Sequence, residues 1–152
     1  MRVSFVLALL ALIFSGGCAN PLVTGYTGQS MPALAEDAPV LVVGADVRNP
    51  VAMAKFVDAM DRARGDRSLL GTSTAVAARP LRDKTAADAA RQLGADAVFY
   101  TYEYVTSTIE RSTSFEHSRD RKGNVDVSEQ TDDTTRHWYE YQASFFGPPT
   151  GQ

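Results

Sequence analysis

The residue with the plainest chemical use is Cys18, the single cysteine of this 152-residue chain. It follows a positive start at Arg2, an apolar run over residues 3–14 and small residues at 15–17. This three-part layout is typical of a secretory signal peptide, and the run is shorter than the ~20 residues that a membrane-spanning helix needs. We therefore expect residues 1–17 to be removed, which leaves Cys18 at the new N-terminus with a thiol that can carry an acyl chain.

The four residues Ser15-Gly16-Gly17-Cys18 resemble the bacterial lipobox, with Ser15 where that motif more usually has Leu. The resemblance implies acylation of Cys18 and attachment of the protein to a membrane. Several acyl chains, at ~0.8 kcal/mol per buried methylene, hold a protein where a single chain binds only reversibly. Ala19, and not Asp, follows the cysteine, which in the sorting rule of enteric lipoproteins implies the outer membrane, facing the periplasm. A non-lipidated signal peptide with an incidental cysteine is the alternative.

The two histidines, His117 and His137, are further candidates for chemistry, with Glu116, Asp120 and Asp132 near them in sequence. Histidine serves in both metal binding and acid–base catalysis. A zinc site, however, needs three or four ligands at recognisable spacing, and the sequence has no such series. The phosphate-loop pattern Gly-x-x-x-x-Gly-Lys and the nucleophile pattern Gly-x-Ser-x-Gly are also missing. We therefore expect no enzyme, metal or cofactor; an enzyme would have to depend on one of the two histidines.

Aromatic residues suggest a possible ligand or partner face. Tyr100, Tyr102 and Tyr104 alternate along one β-like segment, and Trp138 lies in another segment that also carries tyrosines. Such side chains could stack on the sugar rings of peptidoglycan or another glycan. Tyrosine is also a common residue on half-buried sheet faces, so the sequence leaves a binding face and a structural face as alternatives.

The elements that must position these residues alternate between strands and helices. Residues 40–47 form an apolar run with β-branched side chains, typical of a buried strand. Asn49 and Pro50 then predict a helix start, and the helix has a stripe of Met53, Phe56, Val57 and Met60. We predict a second strand over 68–78, a helix from Thr85 to Gly94, a strand over 95–105 and a final strand over 135–146.

The polar stretch between the last two predicted strands, residues 106–135, is a β-hairpin arm or a mobile loop. Its Lys122-Gly123-Asn124 is turn-like, and residues 125–135 would return as another polar strand. The predicted fold is α+β, with a single sheet, two helices on one side and the order β-α-β-α-β-β-β. No internal repeat is visible.

The domain organisation is simple. We predict a lipidated cysteine and a flexible tether over 18–39, an α+β domain over 40–147 and a disordered tail over 148–152. The tether is inferred from its Pro and Gly content, and the alternative is that Leu22 to Thr24, or Tyr26, packs on the domain as an edge segment. With one cysteine, no intramolecular disulfide can form.

The charge balance excludes one class of partner. The chain has 15 Lys+Arg against 18 Asp+Glu, a formal charge of −3, and removal of Arg2 makes the mature chain one charge more negative. Nucleic-acid binders normally present a basic face, so we expect no nucleic-acid partner.

Several short patterns are similar to those of small, uncharacterised bacterial lipoproteins. They are LGTS at 70–73, ARQLGADAV at 90–98, Tyr102 with Thr106, and YEYQASFF at 139–146. The predicted architecture and tether are also similar to envelope lipoproteins with a domain like the N-terminal part of TolB. That resemblance implies an adaptor, and it supplies no catalytic residues.

The resulting hypothesis is a non-catalytic envelope lipoprotein whose arm and sheet edge bind another envelope protein, for example by strand addition. A glycan, peptidoglycan or small-ligand binding module that uses the tyrosine face is the alternative. An enzyme is the third possibility.

The lipid attachment leads to a direct prediction. Metabolic labelling with a fatty-acid probe should mark the native chain and should not mark Cys18→Ala, because the thiol is the acceptor of the acyl chain. Equal labelling of both chains, or labelling of neither, would contradict acylation at Cys18.

Overall fold

The computed structural model describes residues 19–29, 31–78 and 80–149. The predicted signal peptide over 1–17, Cys18 and residues 150–152 of the predicted tail lie outside the described residues. The elements, in chain order, are α1 (Pro21–Thr24), β1 (Tyr26–Gly28), β2 (Leu41–Asp46), α2 (Pro50–Asp66), β3 (Ser68–Ala77), α3 (Asp83–Leu93), β4 (Ala97–Arg119) and β5 (Val125–Gly147).

The strands form one five-stranded sheet in the order β1-β3-β5-β4-β2. β2 pairs with β4 in parallel, and the other three pairings are antiparallel. The predicted α+β class with a single sheet is confirmed. The predicted element order is wrong. The chain has α1 and β1 ahead of β2, and the arm is not made of separate strands but is the continuation of β4 and β5.

Helix α2 begins where the sequence predicts. The side chain of Asn49 accepts a hydrogen bond from the backbone N–H of Ala52 at 3.1 Å, and Pro50 occupies the first turn. Phe56 packs edge-to-face on Phe99, whose ring meets Phe146 in the same way. These residues form the core on one face of the sheet, with Met53 and Met60 against it. The stripe was predicted correctly except for Val57, which is exposed.

Helix α3 lies close to the other face because its inner side consists of alanines. Ala86, Ala89 and Ala90 are fully buried against Val98 and the tyrosines of the sheet. The helix begins at Asp83 and not at the predicted Thr85, and its N-cap makes no side-chain hydrogen bond. It ends as predicted at Gly94, whose φ of 72° is in the left-handed region that favours glycine.

The two long helices pack on opposite faces of the sheet, so the prediction of two helices on one side is wrong. The core under α2 contains Phe99 and Phe146, whereas the core under α3 contains Val98 and Phe145, and neighbouring strand residues point to opposite faces. Crossovers between parallel strands are right-handed in nearly all proteins. The connection through α2 runs across the sheet from β2 to β3, and the connection through α3 runs back in the opposite direction from β3 to β4. Because both connections are right-handed and run in opposite directions, their helices lie on opposite faces of the sheet.

The predicted tether is not free of the domain. Leu22 is fully buried in the core beneath α3, and β1 pairs with β3 as an edge strand. Glycines permit this close approach, since a Cβ at Gly71 would lie 2.5 Å from the carbonyl oxygen of Thr27. The boundary predicted at residue 40 is therefore wrong, and the alternative of a docked edge segment describes residues 20–28.

Strands β4 and β5 continue beyond the sheet as a two-stranded arm, an ordered hairpin and not a loop. They pair from Ala97 with Phe146 to Arg119 with Val125, with one register shift, a bulge, between Tyr104 and Thr106. At the tip, Oδ1 of Asp120 accepts hydrogen bonds from the backbone N–H groups of Lys122 and Asn124, each at 2.8 Å. At ~3.3 Å per residue, the part of the arm from residue 106 to residue 119 is about 45 Å long.

The docked N-terminal segment can be tested through Leu22. We expect Leu22→Ala to lower the free energy of unfolding by about 2–4 kcal/mol, because it opens a cavity in a filled core. Val51→Ala, at a side chain that is 65% exposed on α2, is the matched control and should be nearly neutral. Urea unfolding measures the free energy of unfolding of both variants. If Leu22→Ala leaves this free energy unchanged, the segment is a free tether and is not docked.

Candidate functional site

The arm is the candidate functional site, and the first reason is its unpaired edges. β2 pairs with β4 only as far as Tyr102, and β3 pairs with β5 only as far as Tyr139. Beyond these points no described strand lies beside either outer edge of the arm. Each edge therefore presents backbone N–H and C=O groups that another strand can pair with.

The arm also has two chemically different faces. Trp138 pairs with Thr106, one residue past the bulge, so the odd-numbered residues of both strands then share the face of Tyr139. All the large aliphatic and phenylalanine side chains of the arm proper lie on this face, among polar and charged residues that include Arg111 and Asp133, and we call these apolar side chains the apolar row. The apolar row consists of Ile109 (70% exposed), Phe115 (59%), Val125 (55%) and Val127 (52%).

The even-numbered face of the arm is polar throughout its length, with Trp138 at its base. It carries Ser, Thr, Gln and charged side chains at the even-numbered positions from 106 to 118 and from 126 to 136. The indole N–H of Trp138 donates to the hydroxyl of Thr108 at 2.9 Å, and Arg136 pairs with Glu110 at 2.8 Å. Water can form hydrogen bonds with the polar groups of this face. The apolar side chains on the opposite face cannot bond to water, and a partner would stabilise them by covering them.

Ion pairs link the two arm strands, which have no core of described residues beneath them. Arg111 and Asp133 are directly opposite and make two hydrogen bonds, at 2.8 and 3.1 Å. The bond from Arg111 lowers the pKa of Asp133, and the same bond raises the pKa of Arg111. Exposed pairs of this kind contribute little stability.

Charge is unevenly distributed along the arm. Asp126, Glu129, Asp132 and Asp133 lie on β5, whereas Arg119, Arg121 and Lys122 lie at the tip. Hydrogen bonds from Asn124 lower the pKa of Asp120, so this tip carboxylate stays charged as the acceptor of the turn. The arm part of β5 thus carries more acidic than basic side chains, and the tip carries more basic than acidic ones.

The predicted tyrosine face is largely structural. Tyr100 is buried and donates from its hydroxyl to Oδ1 of Asp83 at 2.9 Å, while the buried Tyr141 accepts from the backbone N–H of Leu81 at 2.9 Å. Tyr102 and Tyr104 are half-buried in the same row. These tyrosines cover the sheet and hold the start of α3.

Trp138 does not join the tyrosines. Tyr139 makes edge-to-face contacts with Tyr102 and Tyr104, so its neighbour Trp138 points to the opposite face. The structure therefore brings Tyr100, Tyr102 and Tyr104 together but places Trp138 elsewhere, and no single open platform contains all four.

The histidines lie far apart on the arm. His117 is opposite Val127, near the tip, and His137 is opposite Ser107, at the base. Ten residues of β5 separate these two levels, or about 33 Å. In the described ranges, no group of three or more His, Cys, Asp and Glu side chains could hold a metal ion.

An open cleft beside α2 is the feature that sequence reasoning missed most completely. It has a volume of about 370 Å³, and Arg64, Thr72, Thr74, Gln142 and Ser144 contribute polar groups to its lining. The sequence signal was the alternation of polar residues in both strands. The cleft combines hydroxyl and amide groups with one guanidinium, and it contains no carboxylate, histidine or thiol that could act as a catalytic base.

Comparison with known proteins gives no relative. No family model, no curated protein and no solved structure matches the chain. Among the described residues, every helix is too short or too polar to cross a bilayer.

The tyrosine core gives a pH prediction. Burial, and secondarily the bond to Asp83, raises the pKa of Tyr100 well above its usual range, and burial also raises the pKa of Tyr141. The folded protein therefore holds these protons more tightly than the unfolded chain, whose tyrosines ionise near pH 10. Stability should be constant below that pH and should fall above it.

Urea unfolding at about pH 8 and about pH 11 measures this loss. We expect Tyr100→Phe to reduce the loss, and we expect Tyr104→Phe, which removes a hydroxyl outside the buried core, to leave it as in the native chain. Equal losses in native protein and Tyr100→Phe would contradict the role of burial.

Proposed function

We propose that this protein is a non-catalytic, lipid-anchored protein of the bacterial envelope whose arm docks on another envelope protein. Acylation of Cys18 would provide the anchor. Ala19 after the cysteine favours the outer membrane, with the domain facing the periplasm. The domain would then act as an adaptor, with the arm as its contact element.

A single observation carries the proposal: the arm extends about 45 Å from the sheet as two strands, with no other described strand beside them. Two-stranded hairpins are at best marginally stable in water. Native proteins usually shorten, cover or twist such edges, because a free edge is a template for pairing with another chain. An arm that is long, regular and open on both edges is therefore suited to receiving a partner strand.

The apolar row supports the same proposal. Ile109, Phe115, Val125 and Val127 share one face and are each more than half exposed. Burying a Val or Phe side chain contributes roughly 1.5–3 kcal/mol. A partner that covers the apolar row and removes it from water would therefore gain binding free energy. Strand addition would supply backbone hydrogen bonds, and the apolar row would supply specificity through alternate side chains.

The charges narrow the kind of partner. The excess of acidic side chains on β5 favours a partner segment with basic residues, and the excess of basic side chains at the tip favours an acidic surface. Electrostatic complementarity of this kind affects the association rate and the register of docking more than the affinity.

Photocrosslinking in living cells tests the docking surface. A photoreactive phenylalanine analogue at Phe115, on the apolar row, should give a discrete adduct with one envelope protein. The same analogue at Ser114, on the polar face at the same level, is the matched control and should give a weaker adduct. Equal adducts from both positions would indicate random collision and contradict docking through the apolar row.

Two variants complete the test. Replacing residues 108–136 with Asn-Gly joins the paired Ser107 and His137 through a tight turn and should abolish the interaction while the domain stays folded. Phe115→Thr with Val127→Thr keeps β propensity and should weaken the interaction, whereas Ser114→Thr with Ser128→Thr should not. If the protein without the arm still binds the same partners, the arm has no part in the proposed function.

A further inference from the structure

The chain is fixed to the domain from Asn20 onward. The side-chain Oδ1 of Asn20 accepts from the backbone N–H of Leu22 at 3.1 Å and begins α1. Its Nδ2 donates to the carbonyl oxygen of Thr85, in the first turn of α3, at 2.7 Å. One side chain thus connects the N-terminal segment to a helix that lies 65 positions away in sequence.

The next residues make this attachment firm. Leu22 is fully buried, and the buried hydroxyl of Ser73 donates to the carbonyl oxygen of Leu22 at 2.6 Å. Detaching the segment would break the hydrogen bond between the Ser73 hydroxyl and Leu22 and would expose the Leu22 side chain, whose burial contributes roughly 1.5–3 kcal/mol. The segment therefore stays docked.

Very little chain remains between this docked segment and the proposed lipid. Only Ala19 separates Cys18 from Asn20, and two residue steps span at most about 7 Å. A free tether from 18 to 39 would instead have allowed the domain to move up to about 70 Å from the membrane. The lipid and the domain surface around Asn20 must then be close neighbours.

We propose that the end of the domain formed by α1 and the first turn of α3 rests on the lipid headgroups, so that the domain has a fixed posture on the membrane. This inference rests on acylation of Cys18, which is part of the proposed function. The surface it assigns to lipid contact contains Asn20, Pro21, Lys84 and Thr85. Lys84 is highly exposed there and pairs with Asp88 on its own helix.

The posture also brings the arm near the membrane. The hydrogen bonds of Tyr100 to Asp83 and of Tyr141 to Leu81 place the start of α3 over the tyrosines. The arm leaves the sheet just beyond these tyrosines, past Tyr104 and Tyr139. The anchor and the arm therefore leave the domain from the same end, so the arm must run along the membrane surface and not across it, and its partner lies close to that surface.

Contact quenching of two labelled positions tests the posture. The acylated protein is purified from membranes and reconstituted in phosphatidylethanolamine and phosphatidylglycerol vesicles with headgroup-linked quencher. Lys84→Cys carries a fluorophore at the proposed lipid-facing end, and Lys55→Cys, an exposed lysine of α2 on the opposite face, is the matched control. Acylated Cys18 has no free thiol, so each variant takes one label.

We expect several-fold stronger quenching at position 84 than at position 55. Inserting a Gly-Ser linker of about ten residues, up to ~33 Å long, between Ala19 and Asn20 should remove the difference. Equal quenching at the two positions in vesicle-bound protein, or a difference that the linker leaves unchanged, would overturn the posture but not the anchor. Failure of the protein to sediment with the vesicles would overturn the anchor and the posture with it.

Discussion

The antiparallel pairing of β4 with β5 is the interaction on which the rest of the structure depends. It runs without interruption, apart from one bulge, from the centre of the sheet to the tip of the arm. Its inner half carries Phe99, Phe145 and Phe146, which hold the cores on both faces. Its outer half has no core and relies on backbone hydrogen bonds and exposed ion pairs. One ladder therefore joins a stable domain to an element that has little stability of its own.

This division explains why the aromatic residues are distributed as they are. Tyr100 and Tyr141 use their hydroxyls on Asp83 and on the backbone of Leu81, so they position α3 and close the end of the core. The bulge then changes the alternation of β4, and the face that follows the tyrosines continues into the apolar row of the arm. The arm thus carries exposed apolar side chains, with Ile109 near its base and Phe115, Val125 and Val127 toward its tip, where no described strand lies beside them.

Part of this structure was predictable from sequence and part was not, for physical reasons. Strand alternation around Tyr100 and the helix start at Asn49 depend on local patterns, and both were predicted correctly. Docking of Leu22 was left as an alternative, because Leu22 and Val23 stand among Pro and Gly without a period, and only contacts with α3 and Ser73 show that the segment is buried. The opposite faces of α2 and α3 follow from strand order, and the bulge at Val105 has no sequence signal. Acylation of Cys18 stays a prediction.

The proposed docking of the arm can be tested most directly by hydrogen exchange of its backbone amides in two settings. In purified protein the amides of residues 106–137 should exchange quickly, because each strand has only one neighbour and no core covers it. In native membranes, where the partner is present, the same amides should be strongly protected, while amides of the inner sheet remain unchanged. Equal, rapid exchange of the arm in both settings would show that nothing binds it and would contradict its role as a docking element.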